Sequence, residues 1–146
     1  MATVEVTFTP LPAHVRTARL VATAVARRSG VDEALLDEVR LAVGEACSRA
    51  VEAHRRHCPA EPVKIEMTDQ GERFVVVVSD QAPTSTPSTG ANGHGVTTLV
   101  QDADDAAIPA GFGLAVISGL ADDVHVSSTS SGVSVRMSWP SAAPTS

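Results

Sequence analysis

The sequence is poor in aromatic residues and has no long apolar run. Among its 146 residues it contains three phenylalanines, one tryptophan and no tyrosine. Its core therefore has to be built mainly from valine, leucine, alanine and isoleucine. No segment approaches the roughly 20 apolar residues that span a bilayer. The first residues, MATVEVTF, have no basic region followed by an apolar stretch. We therefore expect a cytoplasmic protein without a membrane segment.

Basic residues and cysteines are also scarce. The 11 lysines and arginines against 17 aspartates and glutamates give a formal charge of −6, which argues against direct nucleic-acid binding because that requires clustered positive charge. Cys47 and Cys58 fit neither a C-x-x-C motif nor a secreted disulfide framework, so we expect reduced thiols. A metal site at His54, His57 and Cys58 is an alternative, but we interpret these side chains as a polar helix end and expect no bound metal.

The apolar residues recur at two spacings, that of a strand and that of a helix. Alternation in TVEVTF predicts a first strand. Apolar residues at spacings of three and four predict a helix over about 13–29, which Gly30 ends, and a second, long helix capped by Asp32. The apolar stripe of the second helix comprises Leu36, Val39, Val43, Ala46 and Ala50. Such a stripe indicates a helix lying on a flat surface.

The second half predicts four strands, a lid and a short helix. VKIEM and RFVVVVSD form a hairpin whose second strand, apolar on both faces, is central in its sheet. Residues 81–111 have the composition of a lid loop. GFGLAVISGL then predicts a short helix, and VHVSST and VSVRMSW predict two strands, with a flexible tail over 141–146. The order indicates one domain over 1–140, an α/β (α+β) two-layer sandwich with a mixed sheet covered on one face by helices.

Four segments, in this order, resemble one known family. LAVGEACSRAVEAH is similar to that family's first nucleotide-binding helix, and VVVVSDQAP to its strand ending in D-x-G-x-G. GFGLAVISGLADDV and SGVSVRM are similar to its G-x-G-L helix and G-T-x-V closing strand. The family is the Bergerat-fold (GHKL) ATPases, and within it the anti-sigma-factor serine kinases of the RsbW/SpoIIAB type. The resemblance implies the fold, ATP with magnesium as cofactors, and as partners a sigma factor and a STAS-domain anti-anti-sigma factor.

The resemblance also implies roles for individual residues. Glu45 would be the catalytic base, Asp80 would bind the adenine amino group, and Gly111 and Gly113 would present backbone N–H groups to phosphates. In the family an asparagine four residues after the base holds Mg²⁺, and Arg49 stands there in this sequence. A guanidinium has no acceptor and stays protonated, so it cannot ligate a cation. We interpret Arg49 as ion-paired with Glu45 in the metal's place; the alternative is a solvated surface pair.

Two further departures concern the adenine and phosphate sites. Ala82 and Thr84, with Pro83 between them, stand where the family has the glycines that let backbone approach the base. The predicted lid has no lysine or arginine, so a triphosphate meets negative charge there. Its acidic residues are Asp102, Asp104 and Asp105. The sequence therefore predicts a vestigial ATP site at Asp80, Gly111 and Gly113, with no catalytic residue and no bound cofactor.

The predicted function is that of an anti-sigma-factor-like regulatory protein that has lost ATP binding and kinase activity. Two alternatives stay open: an active ATP-dependent serine kinase that uses Glu45, and a sensor in which Arg49 binds a small anion. We expect partners to contact Arg16, Arg19, Glu45 and Arg49, although the first two would equally suit the solvated face of a helix. A homodimer is expected through the first strand or the helix faces.

Overall fold

Two helices and five strands make up the described part of the protein, which a computed structural model gives for residues 2–82 and 117–141. The elements are β1 (Ala2–Phe8), α1 (Pro12–Arg28), α2 (Glu33–His57), β2 (Val63–Asp69), β3 (Arg73–Ser79), β4 (Asp123–Thr129) and β5 (Gly132–Pro140). Residues 117–120 are also helical and belong to the predicted short helix. Most of the predicted lid, 83–111, and of the tail, 142–146, lies outside the described residues.

The ends of the two helices follow the predicted signals. α1 begins at a proline. Proline has no backbone N–H, but no hydrogen bond is lost, because N–H groups in the first turn of a helix have no carbonyl partner within it. It ends before Gly30, which has a φ of 92°, a left-handed conformation that glycine adopts without a steric cost. The Asp32 side chain accepts a hydrogen bond from the Ala34 N–H at 2.9 Å and so caps α2 as predicted.

The five strands form one antiparallel sheet of order β1-β2-β3-β5-β4. β3 is the central strand, as its apolar sequence predicts. The two-layer sandwich is confirmed, but the four strand pairings among the described residues are all antiparallel, where the sequence predicted a mixed sheet. Neither described helix is long and apolar enough to cross a bilayer.

Both helices cover the same face of the sheet. The apolar stripe of α2 and the inward residues of α1 pack on alternate residues of the central strands. The strand residues in this core are Val63, Ile65, Met67, Phe74, Val76, Val78, Val126, Val135, Met137 and Trp139. Because side chains alternate along a strand, the intervening residues lie on the opposite face, which neither α1 nor α2 covers. The described chain therefore has one core, between the helices and the sheet.

Candidate functional site

A buried ion pair joins α2 to the end of β3. The Arg49 Nη2 group donates a hydrogen bond to the Asp80 Oδ2 atom. The side chains are only 11% and 1% exposed, respectively. The prediction that Arg49 pairs with Glu45 is therefore wrong, and so is its alternative of a solvated pair. The reason is that the side of α2 that carries Arg49 faces the C-terminal end of β3. The Asp80 carboxylate lies there and binds the guanidinium, although Glu45 is nearer in sequence.

Both carboxylate oxygens of Asp80 are already used by the protein. Its Oδ1 atom accepts hydrogen bonds from the N–H groups of Ala82, at 3.1 Å, and Val133, at 3.2 Å. Gly132 permits this approach of β5, because a Cβ at that position would lie 2.1 Å from the Asp80 carbonyl oxygen. Gly132 thus allows β5 to approach Asp80, whose carboxylate has three protein donors.

His54 fixes the residue that follows Asp80. The Gln81 N–H donates to the His54 Nε2 atom at 2.8 Å, which leaves Nδ1 to carry the ring proton and to donate to the Glu61 carbonyl at 2.8 Å. The ring is fully buried and both nitrogens are engaged, so neither is available to a metal. This role was not predicted from the sequence, although His54 continues the α2 stripe four residues after Ala50.

Glu45 lies one helical turn before Arg49 and is half-buried. No residue within 2–82 or 117–141 forms an ion pair or side-chain hydrogen bond with it in the structure. No described residue therefore occupies its carboxylate, and a general base requires an unoccupied carboxylate. The predicted phosphate-binding residues Gly111 and Gly113 lie outside the described residues.

A second feature is an open groove of about 630 Å³ between the N-terminal half of α1 and the C-terminal half of α2. It is lined by Pro12, Ala13, Val15, Arg16, Arg19, Ser48, Val51, Glu52 and Arg55. Glu52, its one carboxylate, pairs with Arg56 at 3.1 Å. Arg16, Arg19 and Arg55 form no ion pair with the described residues. The groove therefore presents three uncompensated arginines in an acidic protein; we call it the arginine groove.

A glycine leaves room for the side chain of one of these arginines. A Cβ at Gly44 would lie 2.6 Å from the Cδ atom of Arg19, so the Arg19 stem occupies the space that any larger residue of α2 would fill. Positions 44 and 49 are about 140° apart on an α-helix. The predicted partner-binding residues therefore divide between two flanks of α2: Arg16 and Arg19 lie in the groove, and Arg49 lies at Asp80.

The two thiols differ in environment. Burial raises the pKa of Cys47 from 9.0 to about 12, although nearby Arg19 lowers it. The pKa of Cys58 is also raised, by partial burial and by the negative charges of Glu61 and Asp80. Both cysteines are free, as the sequence predicts. Since the thiolate is the reactive form, neither environment is that of a nucleophile.

Comparisons with known proteins agree with this architecture. Residues 8–139 match the family described as the histidine kinase-like ATPase domain. A solved structure of the RsbU and RsbW domains of Rv1364c from Mycobacterium tuberculosis is similar to the chain, with a TM-score of 0.63 at 16% identity. That match covers 99% of this chain and 35% of the other, so this chain spans about a third of its length. No curated protein matches the sequence. The likeness shows a Bergerat-like fold.

Proposed function

We propose, from the premise that the chain belongs to the histidine kinase-like ATPase family, that it is a non-catalytic regulatory protein of the anti-sigma-factor type. It binds a sigma factor, a STAS-domain anti-anti-sigma factor, or each in turn, and it neither binds ATP·Mg²⁺ nor transfers a phosphoryl group. The observation that carries the proposal is the buried Arg49–Asp80 ion pair.

This pair obstructs both ends of nucleotide recognition. Magnesium takes oxygen ligands, and a guanidinium offers only N–H donors. An adenine amino group needs an acceptor, whereas Asp80 already accepts from Arg49, Ala82 and Val133. A nucleotide that took the Oδ2 atom from Arg49 would leave a buried guanidinium without its counter-ion, which costs several kcal/mol. Partner competition, or phosphorylation of a partner by another enzyme, would then control release.

The arginine groove supports the binding half of the proposal. Three arginines without carboxylate partners face one concave surface, and the floor between them contains Val15 and Val51. An acidic segment of a partner protein fits this combination of charge and apolar area. The groove includes Arg16 and Arg19, both predicted from the sequence to contact partners.

One observation favours the second candidate, an active serine kinase. Glu45 forms no ion pair with the described residues, so its carboxylate is free to accept a proton from a hydroxyl group. This function would require Asp80 to exchange Arg49 for adenine. The third candidate, an anion sensor, is less well supported because Asp80 already neutralises the Arg49 guanidinium.

Titration calorimetry with ATP·Mg²⁺ separates the first two candidates. We expect no binding at millimolar nucleotide. Arg49→Asn, which supplies the missing amide oxygen, should not bind ATP or phosphorylate a partner either, because Ala82, Pro83 and Thr84 still replace the glycine segment and the lid sequence still has no lysine or arginine. Micromolar binding by the wild type would refute the proposal, and turnover by Arg49→Asn would show that Arg49 alone disables the site.

A pull-down from native extract tests the binding half. The captured sigma factor or STAS protein is then titrated in its phosphorylated and unphosphorylated forms. Arg19→Glu should weaken binding at least about tenfold because it reverses a charge in the groove. Arg28→Glu is the matched control, since Arg28 is exposed on α1 outside the groove. Equal affinities of the two variants would exclude the groove as the docking surface.

A further inference from the structure

The arginine groove concentrates positive charge that is neutralised elsewhere in the described chain. The guanidinium groups of Arg16, Arg19 and Arg55 line it. None of the three forms an ion pair or a side-chain hydrogen bond with a residue in 2–82 or 117–141. Five arginines outside the groove lining each pair with a carboxylate: Arg27, Arg40, Arg49, Arg56 and Arg73. The donors of the groove are therefore available to a ligand.

The two helices bring these donors to one surface. Arg16 and Arg19 are three residues apart, so they are neighbours on one side of α1. Arg55 lines the groove from α2, and so does Ser48, whose hydroxyl group is a further donor. Glu52, the one carboxylate of the groove, is already paired with an arginine. Three guanidinium groups and a hydroxyl group thus remain for one ligand.

The N-terminus of α1 adds to this charge. Pro12 and Ala13, in the first turn of the helix, also line the groove. The N-cap residue Leu11 makes no side-chain cap, and the first turn contains no acidic residue. A helix N-terminus carries a positive partial charge of about half an elementary charge, and no side chain of this turn offsets it. The groove therefore favours an anion through its backbone as well as its arginines.

These donors match a phosphate ester better than a carboxylate. A carboxylate has two oxygens and one charge, and a single guanidinium can bind both oxygens. A phosphorylated serine or threonine carries a charge of about −1.5 to −2 and three strong acceptor oxygens, so it can accept from several arginines at once. Arginine clusters are a recurrent means of recognising phosphorylated protein segments. Val15 and Val51, between the arginines, offer the neighbouring residues of such a segment an apolar floor.

We infer that the arginine groove docks a partner segment through a phosphorylated serine or threonine. The inference deepens the proposed function and rests on it for the existence of a partner. Phosphorylation of the segment by another enzyme turns docking on, and removal of the phosphate turns it off. The groove lies on a different flank of α2 from Arg49 and Asp80, so docking requires no nucleotide and no change in the buried ion pair.

A short phosphopeptide tests this chemistry before any partner is identified. The probe is a tripeptide with phosphoserine between two alanines, blocked at both ends, and it is titrated into the ¹⁵N-labelled full-length chain. Amide shifts should be confined to residues 12–19 and 48–55. The same peptide with glutamate in place of phosphoserine should bind at least about tenfold more weakly, because it offers fewer acceptor oxygens and less charge.

Two matched pairs of variants assign the binding to the groove. Arg19→Gln should weaken phosphopeptide binding at least about tenfold, whereas Arg28→Gln, an equal loss of charge on α1 outside the groove, should bind as the wild type does. Glu52→Gln removes the carboxylate of the groove and should tighten binding about two- to fivefold. Glu33→Gln removes an exposed, ion-paired carboxylate outside it and should not. Thermal melts confirm that the four variants fold.

A partner captured from native extract gives a second readout. Its phosphorylated form should bind the wild type at least about tenfold more tightly than its unphosphorylated form. This preference should disappear in Arg19→Gln and persist in Arg28→Gln. The comparison separates recognition of the phosphate from general attraction between the groove and an acidic surface.

The inference and the proposed function fail in different ways. Equal binding of the phosphoserine and glutamate peptides, no saturable shifts up to about 20 mM probe, or equal phosphopeptide affinities of Arg19→Gln and Arg28→Gln would each overturn the inference. A captured partner that binds equally in both forms would overturn it too, while the proposed function would stand. Failure to capture any partner would count against the proposed function, and the peptide titration would still decide whether the groove recognises phosphate.

Discussion

Arg49 and Asp80 neutralise two charges that neither could keep buried alone. The guanidinium Nη2 atom binds the carboxylate, but the Arg49 Nε atom is buried without a hydrogen-bond partner among the described residues. A buried pair of this kind contributes little compared with an apolar pair of the same size, whereas losing one member is costly. The role of the pair is therefore to occupy and fix a site, more than to add stability.

Arg49→Met should lower the free energy of unfolding by about 3 kcal/mol, since it leaves the Asp80 carboxylate buried beside two backbone donors only. Asp80→Asn should also be destabilising. The double variant should lose less than the sum of the two, because the charge that each single change leaves unpaired is then absent. Urea unfolding of the three variants measures this coupling, and additive losses would mean that the pair is not the interaction that holds Asp80.

The elements could be predicted from the sequence, but the ion pair that fills the site could not. The stripe from Leu36 to Ala50, the Asp32 cap and the central position of β3 follow from local rules, because a core face or a cap is defined by residues close in sequence. Within a helix, the same rules favour pairing of Arg49 with Glu45. The actual acceptor is 31 residues away in sequence, and only the packing of α2 on β3 brings it close.

Two flanks of α2 thus face different neighbours. Gly44 lies beneath Arg19 of α1, while Arg49 reaches the end of β3. A Cβ at position 44 would lie 2.6 Å from the Cδ atom of Arg19, so alanine there would displace the Arg19 stem. This contact is also beyond sequence rules, which treat a glycine inside a helix only as a loss of helix propensity.

Gly44→Ala should separate stability from partner binding. The free energy of unfolding should rise by up to about 1 kcal/mol, because alanine is the better helix former and the flexible Arg19 side chain can turn outward. Partner affinity should fall, but less than in Arg19→Glu, since the guanidinium leaves the groove without its charge being reversed. Gly119→Ala is the control, as a Cβ there meets no atom within 4 Å. Unchanged affinity in Gly44→Ala would mean that partner binding does not depend on the Arg19 stem lying against Gly44.

For the whole molecule, folding is linked to pH through a thiol in the core. The folded chain keeps Cys47 neutral because its pKa is raised to about 12, whereas in the unfolded chain the thiol ionises near 9.0. A group with a raised folded pKa contributes stability below its unfolded pKa and loses it as pH rises toward the folded value. The alkaline range from about pH 9 to 12 is therefore where this contribution disappears.

Between pH 8 and pH 10, the free energy of unfolding of the wild type should fall by about 1 kcal/mol more than that of Cys47→Ala. Denaturant titrations at the two pH values measure the difference. The alanine variant starts from a lower stability because it leaves a cavity, so only the change with pH is compared. Parallel pH profiles would show that Cys47 does not couple folding to proton release.

The mutual dependence of Arg49 and Asp80 has an evolutionary consequence. Replacing Arg49 leaves the Asp80 carboxylate buried without a counter-ion, and replacing Asp80 leaves the Arg49 guanidinium buried without one. A change at either position alone therefore gives a less stable protein, whereas a simultaneous change of both to apolar residues need not. Selection for a stable fold is for that reason expected to retain Arg49 and Asp80 together.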